Sequence, residues 1–164
     1  MSKSTIQKLV PALWYAKEAE EAAKFYASIF PESRIDRVTA LATDSPSGPA
    51  GSVRVVEFVL FGQSFLAMSA GPHDPFNDAI SFQVMCTSQA EIDRYWNAIL
   101  EHGGKTQACG WINDKYGVRW QIVPTQLGDM LADRDSEKAK RAADEMMKQV
   151  KFDLAKLEAA YNGR

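Results

Sequence analysis

Residues 109–124, CGWINDKYGVRWQIVP, show the architecture in miniature. Trp111-Ile112 leads into Asn113-Asp114-Lys115-Tyr116-Gly117, where Asn, Asp and Gly tolerate the left-handed backbone that a hairpin turn needs. Val118 to Val123 is a β-branched and aromatic run, and Pro124 cannot continue a central ladder. The pattern predicts two short strands joined by a tight turn. Side chains alternate along a strand, so Trp120 and Ile122 share one face while Arg119, Gln121 and Val123 share the other. The first face suits a core. The second carries a cation and an amide, which suits a cavity wall or a solvated surface.

Upstream, the same alternation of strand and helix signals occurs twice. Lys8 to Ala16, KLVPALWYA, reads as a first strand with Val10, Ala12 and Trp14 on one face. Glu18 to Phe30 reads as an amphipathic helix, with Ala22, Phe25, Tyr26 and Ile29 at helical spacing, closed by Pro31. Ser33–Thr43, Gly51–Phe61 and Ser64–Ala70 read as strands, with Asp44–Gly51 a mobile loop on composition. After a connector marked by Pro72, Pro75, Asn77 and Asp78 the pattern restarts. A slide of 70 residues places Val10-Pro11 on Ile80-Ser81, Phe25-Tyr26 on Tyr95-Trp96, and Ile29-Phe30 on Ile99-Leu100. Each half alone would leave an apolar sheet face uncovered, so the repeat predicts paired modules. The expected fold is α+β: two βαβββ modules, 6–71 and 79–125, in a single domain. A C-terminal helical extension, 127–164, follows. There Ser136–Gln149 and Asp153–Tyr161 read as two helices sharing a stripe of Met146, Val150, Leu154, Leu157 and Tyr161. That stripe is expected to dock on the sheet's edge or on a second subunit.

At 164 residues and 46% apolar content, the chain is long enough to bury a sizeable core. Its net charge of −2, with both signs interspersed, argues against a nucleic-acid surface. MSKSTIQKLV contains no long apolar run, and no stretch reaches the roughly 18 apolar residues of a spanning helix. No signal peptide or membrane anchor is therefore expected. Cys86 and Cys109 lack framework spacing, which predicts a reduced, cytoplasmic protein.

Paired βαβββ modules with Phe-Tyr or Tyr-Trp late in each helix resemble the vicinal oxygen chelate superfamily of glyoxalases, extradiol dioxygenases and bleomycin-resistance proteins. Phe58-Val59-Leu60-Phe61-Gly62, Ile80-Ser81-Phe82-Gln83-Val84, Asp93-Arg94-Tyr95-Trp96 and the whole 109–124 stretch resemble its PhnB-like, demethylubiquinone methyltransferase-like branch. The terminal KFDLAKLEAAY resembles that branch too. No glycine-rich nucleotide loop follows the first strand. The resemblance implies a curled mixed sheet around a cavity, each module supplying half of its U shape. In metal-dependent members, His, Gln or Glu on the first and last strands of each module hold a divalent ion. Those positions fall here on Pro11 and Ser81 in the first strands, and on Leu66 (or Ala67) and Gln121 in the last. Proline and leucine offer no metal-binding side chain, and one serine with one amide cannot hold an ion against water. No metal and no cofactor are expected.

The ligand-equivalent face then comprises Pro11, Leu13 and Tyr15; Ser81, Gln83 and Met85; and Arg119, Gln121 and Val123. From it Tyr15, Ser81, Gln83, Arg119 and Gln121 are the candidate ligand-binding residues. Glu57, an acid inside an apolar strand, is the weak catalytic candidate; its alternative is an ion pair with Arg119 or Arg54. His73 and His102 are expected at the surface, Cys109 as a small buried residue, and Asp114 in a turn hydrogen bond. The function this predicts is metal-free binding of a small anionic metabolite by a homodimer, with no nucleic-acid or membrane partner. The alternative is a divalent-metal-dependent lyase, isomerase or dioxygenase of the same superfamily.

Overall fold

Residues 7–164 are described by a computed structural model, in which they form two compact units, 7–74 and 75–164. The first runs β1 (Ala12–Tyr15), α1 (Ala19–Ile29), β2 (Arg34–Ala40), β3 (Arg54–Leu60) and β4 (Gln63–Ser69). Its four strands lie in the order β1-β4-β3-β2, with β1 parallel to β4 and the other pairs antiparallel. The second unit repeats this as β5 (Phe82–Cys86), α2 (Gln89–Glu101), β6 (Lys105–Thr106), β7 (Trp111–Asn113) and β8 (Arg119–Pro124), in the order β5-β8-β7-β6. Three helices follow: α3 (Thr125–Leu131), α4 (Ser136–Met146) and α5 (Leu154–Tyr161). The protein is thus α+β, two βαβββ modules with C-terminal helices, its eight strands divided between two four-stranded mixed sheets.

Local chemistry explains the turns. β3 and β4 are joined by Phe61-Gly62, with φ of 49° and 75°. A two-residue hairpin that follows the strands' twist needs positive φ at both positions, and glycine takes the second without cost. The β7–β8 turn is longer and is organised by Asp114. Its Oδ1 accepts the amides of Tyr116 and Val118, each at 2.9 Å, and its Oδ2 accepts Trp120 Nε1 at 2.9 Å. β2 carries a bulge between Ile35 and Arg37 against β3. The 44–51 segment, which composition predicts to be mobile, is folded into turns: Asp44 Oδ1 accepts Ala50 N at 2.9 Å, and Ser45 and Gly48 exchange backbone bonds.

The core face of the second module follows the alternation, with Val84, Ile122 and Trp120 buried under Ile92, Tyr95, Trp96 and Ile99 of α2. In the first module the expectation is inverted. Leu13 and Tyr15 are 7% and 2% exposed, whereas Val10 and Trp14 are each 40% exposed. The cause is one residue of connection. Two residues, Ala16 and Lys17, separate β1 from the helix cap at Glu18, whereas Thr87 alone separates β5 from the cap at Ser88. The helices superpose at an offset of 70, but the strands superpose at 71, Leu13 on Val84 and Tyr15 on Cys86. A slip of one residue exchanges the faces of a strand. The sheet registers agree: Ala12 lies opposite Leu66 just as Gln83 lies opposite Gln121.

Tyr15 is therefore a core residue, with its hydroxyl 3.2 Å from that of Tyr26, not a ligand-facing one. Tyr15→Phe should lower stability by about 1 kcal/mol through the lost hydrogen bond and leave ligand titrations unchanged. A weakened titration at unaltered stability would restore it to the binding face.

The C-terminal segment docks on its own module. Cys109 N and Gly110 N donate to Gln149 O and Val150 O, each at 2.8 Å, and Gly110 O accepts Ile122 N at 2.8 Å. The expected continuous stripe is interrupted, because α4 ends at Met146 and the chain turns before α5. Leu157 is fully buried while Val150 is 47% exposed. The helix α3, at 125–131, was not expected; it starts directly from Pro124, which closes β8 and caps the helix. No helix of the described residues is long and apolar enough to cross a membrane.

Candidate functional site

The second module carries the built site. Gln83 and Met85 of β5, Gln121 and Val123 of β8, and Trp111 of β7 share the sheet face opposite α2, because Gln83 pairs with Gln121 and Gln121 with Trp111. Leu127, Gly128 and Leu131 of α3, Met146 of α4, and Cys109 and Phe152 complete a recess of about 290 Å³ over that face. Its walls are apolar, and its polar floor is an amide chain. Gln121 Nε2 donates to Ser81 Oγ at 2.7 Å, and Gln83 Nε2 donates to Gln121 Oε1 at 3.4 Å. An apolar enclosure with a few convergent polar groups is the usual form of a small-molecule site. Val123, expected on this face, is only 7% exposed because the C-terminal helices cover it.

Arg119 lies on the same face, two residues along β8 from Gln121, but it does not line the recess. Its Nε donates to Asp78 Oδ1 at 2.7 Å and its Nη1 to Gly117 O at 2.5 Å. The guanidinium holds the Asp78 carboxyl below the usual aspartate range. Glu57 is not its partner. That acid belongs to the first module, where Arg37 Nη2 lies 2.5 Å from Glu57 Oε1. Nor is Arg54 the partner of Glu57, since Arg54 reaches Glu20 at 3.6 Å. Glu57 borders a second hollow of about 300 Å³ with Val10, Asp36, Ser64 and Leu66. It is half exposed and paired with Arg37.

Ser81, Gln83, Arg119 and Gln121 are therefore brought to one face, while Tyr15 and Glu57 belong to the other module. Asp78 and the apolar walls from α3, α4 and Phe152 were missed by sequence reasoning. The hairpin register did contain one missed signal: Trp111, directly across from Gln121, had to share its face.

The geometry can be set beside known proteins. The family model for 3-demethylubiquinone-9 3-methyltransferase matches residues 7–123. The chain belongs to that family. A PhnB protein from Bacillus cereus is 31% identical, with a TM-score of 0.64 over 73% of this chain and 100% of the other. In fold alone, a Pseudomonas aeruginosa protein matches at 23% identity and TM-score 0.55, over 73% of this chain and 98% of its own. The fosfomycin resistance protein FosX from Mesorhizobium loti matches in the same sense at 16% identity and TM-score 0.56, over 79% and 100%. No curated protein matches the sequence. The chain is a PhnB-like member of the matched family. The match to the family model ends at 123, so it does not include KFDLAKLEAAY. The helices that wall the recess of this PhnB-like protein come from beyond it.

The superfamily's metal-dependent chemistry needs a ligand set, which can be tested on the side chains. With the strand offset corrected to 71, the residue equivalent to Ser81 is Val10, not Pro11, and Leu66 remains the counterpart of Gln121. Valine and leucine supply no donor, and Ser81 Oγ and Gln121 Nε2 are bonded to each other. Among the described residues, no three His, Cys, Asp or Glu side chains gather where a metal ion could be held. The donors present do not fit a divalent ion. Other reactive groups are also placed. Burial pushes the Cys86 thiol up to about 12, which leaves it unreactive at neutral pH. Cys109 is a half-buried turn residue with φ of 58°, its Sγ 3.8 Å from Met147 Sδ. His102 is half-buried, its Nε2 3.3 Å from the Tyr116 hydroxyl, and the His73 ring contacts the Asp74 carbonyl at 2.5 Å.

Proposed function

We propose that this PhnB-like protein is a metal-free, cytoplasmic homodimer that binds a small metabolite with an apolar body and an oxygenated, anionic end. The observation that carries this reading is the hydrogen-bonded Gln83–Gln121 amide pair, anchored by Ser81, on the floor of an apolar recess. An amide pair of this kind presents both donors and acceptors to a ligand's oxygens. The apolar walls supply the burial that holds the rest of the molecule. Arg119, about 7 Å from Gln121 along the strand, is the cation within reach of a carboxylate or phosphonate. The half-exposed Trp14 and Val10 on the first module's open face are apolar surface that a second copy can cover.

Trp111 lines the recess and serves as a native reporter. Titration with a panel of small aromatic and aliphatic acids should change its emission saturably. Gln121→Leu removes the central amide while keeping the volume. For the best acid of the panel it should weaken binding about tenfold or more, the effect of one lost hydrogen bond plus stranded polar partners. Unchanged affinity in that variant would show that the acid binds outside the recess.

A further inference from the structure

Asp78 stands in a segment that the binding reading leaves unused, between the start of the second unit and β5. Its carboxylate meets the guanidinium that lies on the candidate binding face. The Arg119 side chain is 17% exposed and that of Asp78 is 63% exposed. The cation is thus set into the sheet face, and the acid lies over it from the solvent side. A Cβ at Gly117 would lie 3.9 Å from Phe76 Cβ, so the segment rests on the β7–β8 turn at a second point. Gly117 O fixes the other arm of the guanidinium, which aims Nε at the acid.

We propose that Asp78 is an intramolecular stand-in for the ligand's anionic group: it occupies the Arg119 subsite, and a carboxylate or phosphoryl group must displace it. This rests on the reading of the same sheet face as a binding site and adds its regulation. The chemistry favours exchange. An aspartate and a ligand carboxylate present the same two-oxygen fork to a guanidinium. Asp78, on the solvent side, is rehydrated when it leaves, and exposed ion pairs contribute little net stability. The stand-in keeps a half-buried cation from being left uncompensated in the free protein. It also sets a threshold, because a weakly held anion will not evict it.

The test is calorimetric titration of inorganic phosphate into the wild type, Asp78→Ala and Asp78→Ala/Arg119→Met, with melting curves to verify that each folds. Asp78→Ala should bind phosphate about tenfold more tightly than the wild type, the scale of one removed charge-assisted competitor. The double variant should lose that gain. Equal affinity in the wild type and Asp78→Ala, including no binding by either, overturns the proposal. So does a gain that survives in the double variant, since the phosphate would then sit elsewhere. The recess reading is judged separately by the Trp111 titration. Phosphate gained through Arg119 without any acid reaching Trp111 would sink the recess and leave the stand-in intact.

Discussion

Gly110→Ala should lower the melting temperature by roughly 4–20 °C and release the C-terminal segment from the sheet. Gly110 has φ of 77°, and a Cβ there would fall 2.4 Å from Phe152 Cε2, 2.7 Å from Phe152 Cδ2 and 2.9 Å from Ile122 O. The ring could shift only by leaving its pocket, where it is 1% exposed, and the carbonyl belongs to β8. Left-handed backbone costs an alanine roughly 1–2 kcal/mol, and overpacking a dense site adds about 1–3 kcal/mol. For a chain of this size each kcal/mol corresponds to about 2–4 °C. The readout is a thermal melt followed by far-ultraviolet circular dichroism, with limited proteolysis of 125–164 as the local probe. A melting temperature within about 2 °C of the wild type would show that the Phe152 contact does not hold the extension. Because Phe152 and α3 wall the recess, the same variant should abolish the Trp111 response.

Asp114→Ala should cost about 3 kcal/mol, since three donors lose one charged acceptor within the fold and buried donors left unmet each carry a penalty of about 1–3 kcal/mol. Asp114 is 4% exposed and joins the turn amides of Tyr116 and Val118 to the Trp120 indole. It connects the hairpin's local geometry to the packing of the aromatic beneath it. Denaturant unfolding of the single variant, of Trp120→Phe and of the double variant forms a cycle that isolates the indole bond. Additive losses would mean that the carboxylate serves the turn alone.

These two positions also show what the chain reveals in advance. The hairpin was legible because Asn113, Asp114 and Gly117 announce the turn, while Trp120 and Ile122 alternate with Arg119 and Gln121. The duplication was legible from the aromatic pairs of the two helices. The face of β1 was not, because the difference lies in the connector and not in the strand. One added residue before Glu18 leaves the helix spacing intact and reverses the meaning of Leu13, Trp14 and Tyr15. The partners of Arg119 and Glu57 were equally hidden. Charge pairing depends on which strands are neighbours, and Arg37, set beside Glu57 by the β2–β3 register, is 20 residues away in sequence. The recess walls were missed for a similar reason. The stripe in 136–161 displays apolar residues but not where the chain turns between helices.

The bulge in β2 has a consequence for how copies of this chain can meet. β2 is the outer strand of its sheet, seven residues long, and its far side offers a ladder that another strand could extend. The irregularity between Ile35 and Arg37 leaves Asp36 out of step with β3 and disturbs the even spacing of donors and acceptors along the rim. Arg34, Asp36 and Arg37 put charge of both signs on that same short length. In the other module the outer strand is cut to Lys105–Thr106, too short to template anything. The β2 and β6 rims are thus blunted against runaway polymerisation. Another strand is therefore not expected to continue either sheet through β2 or β6.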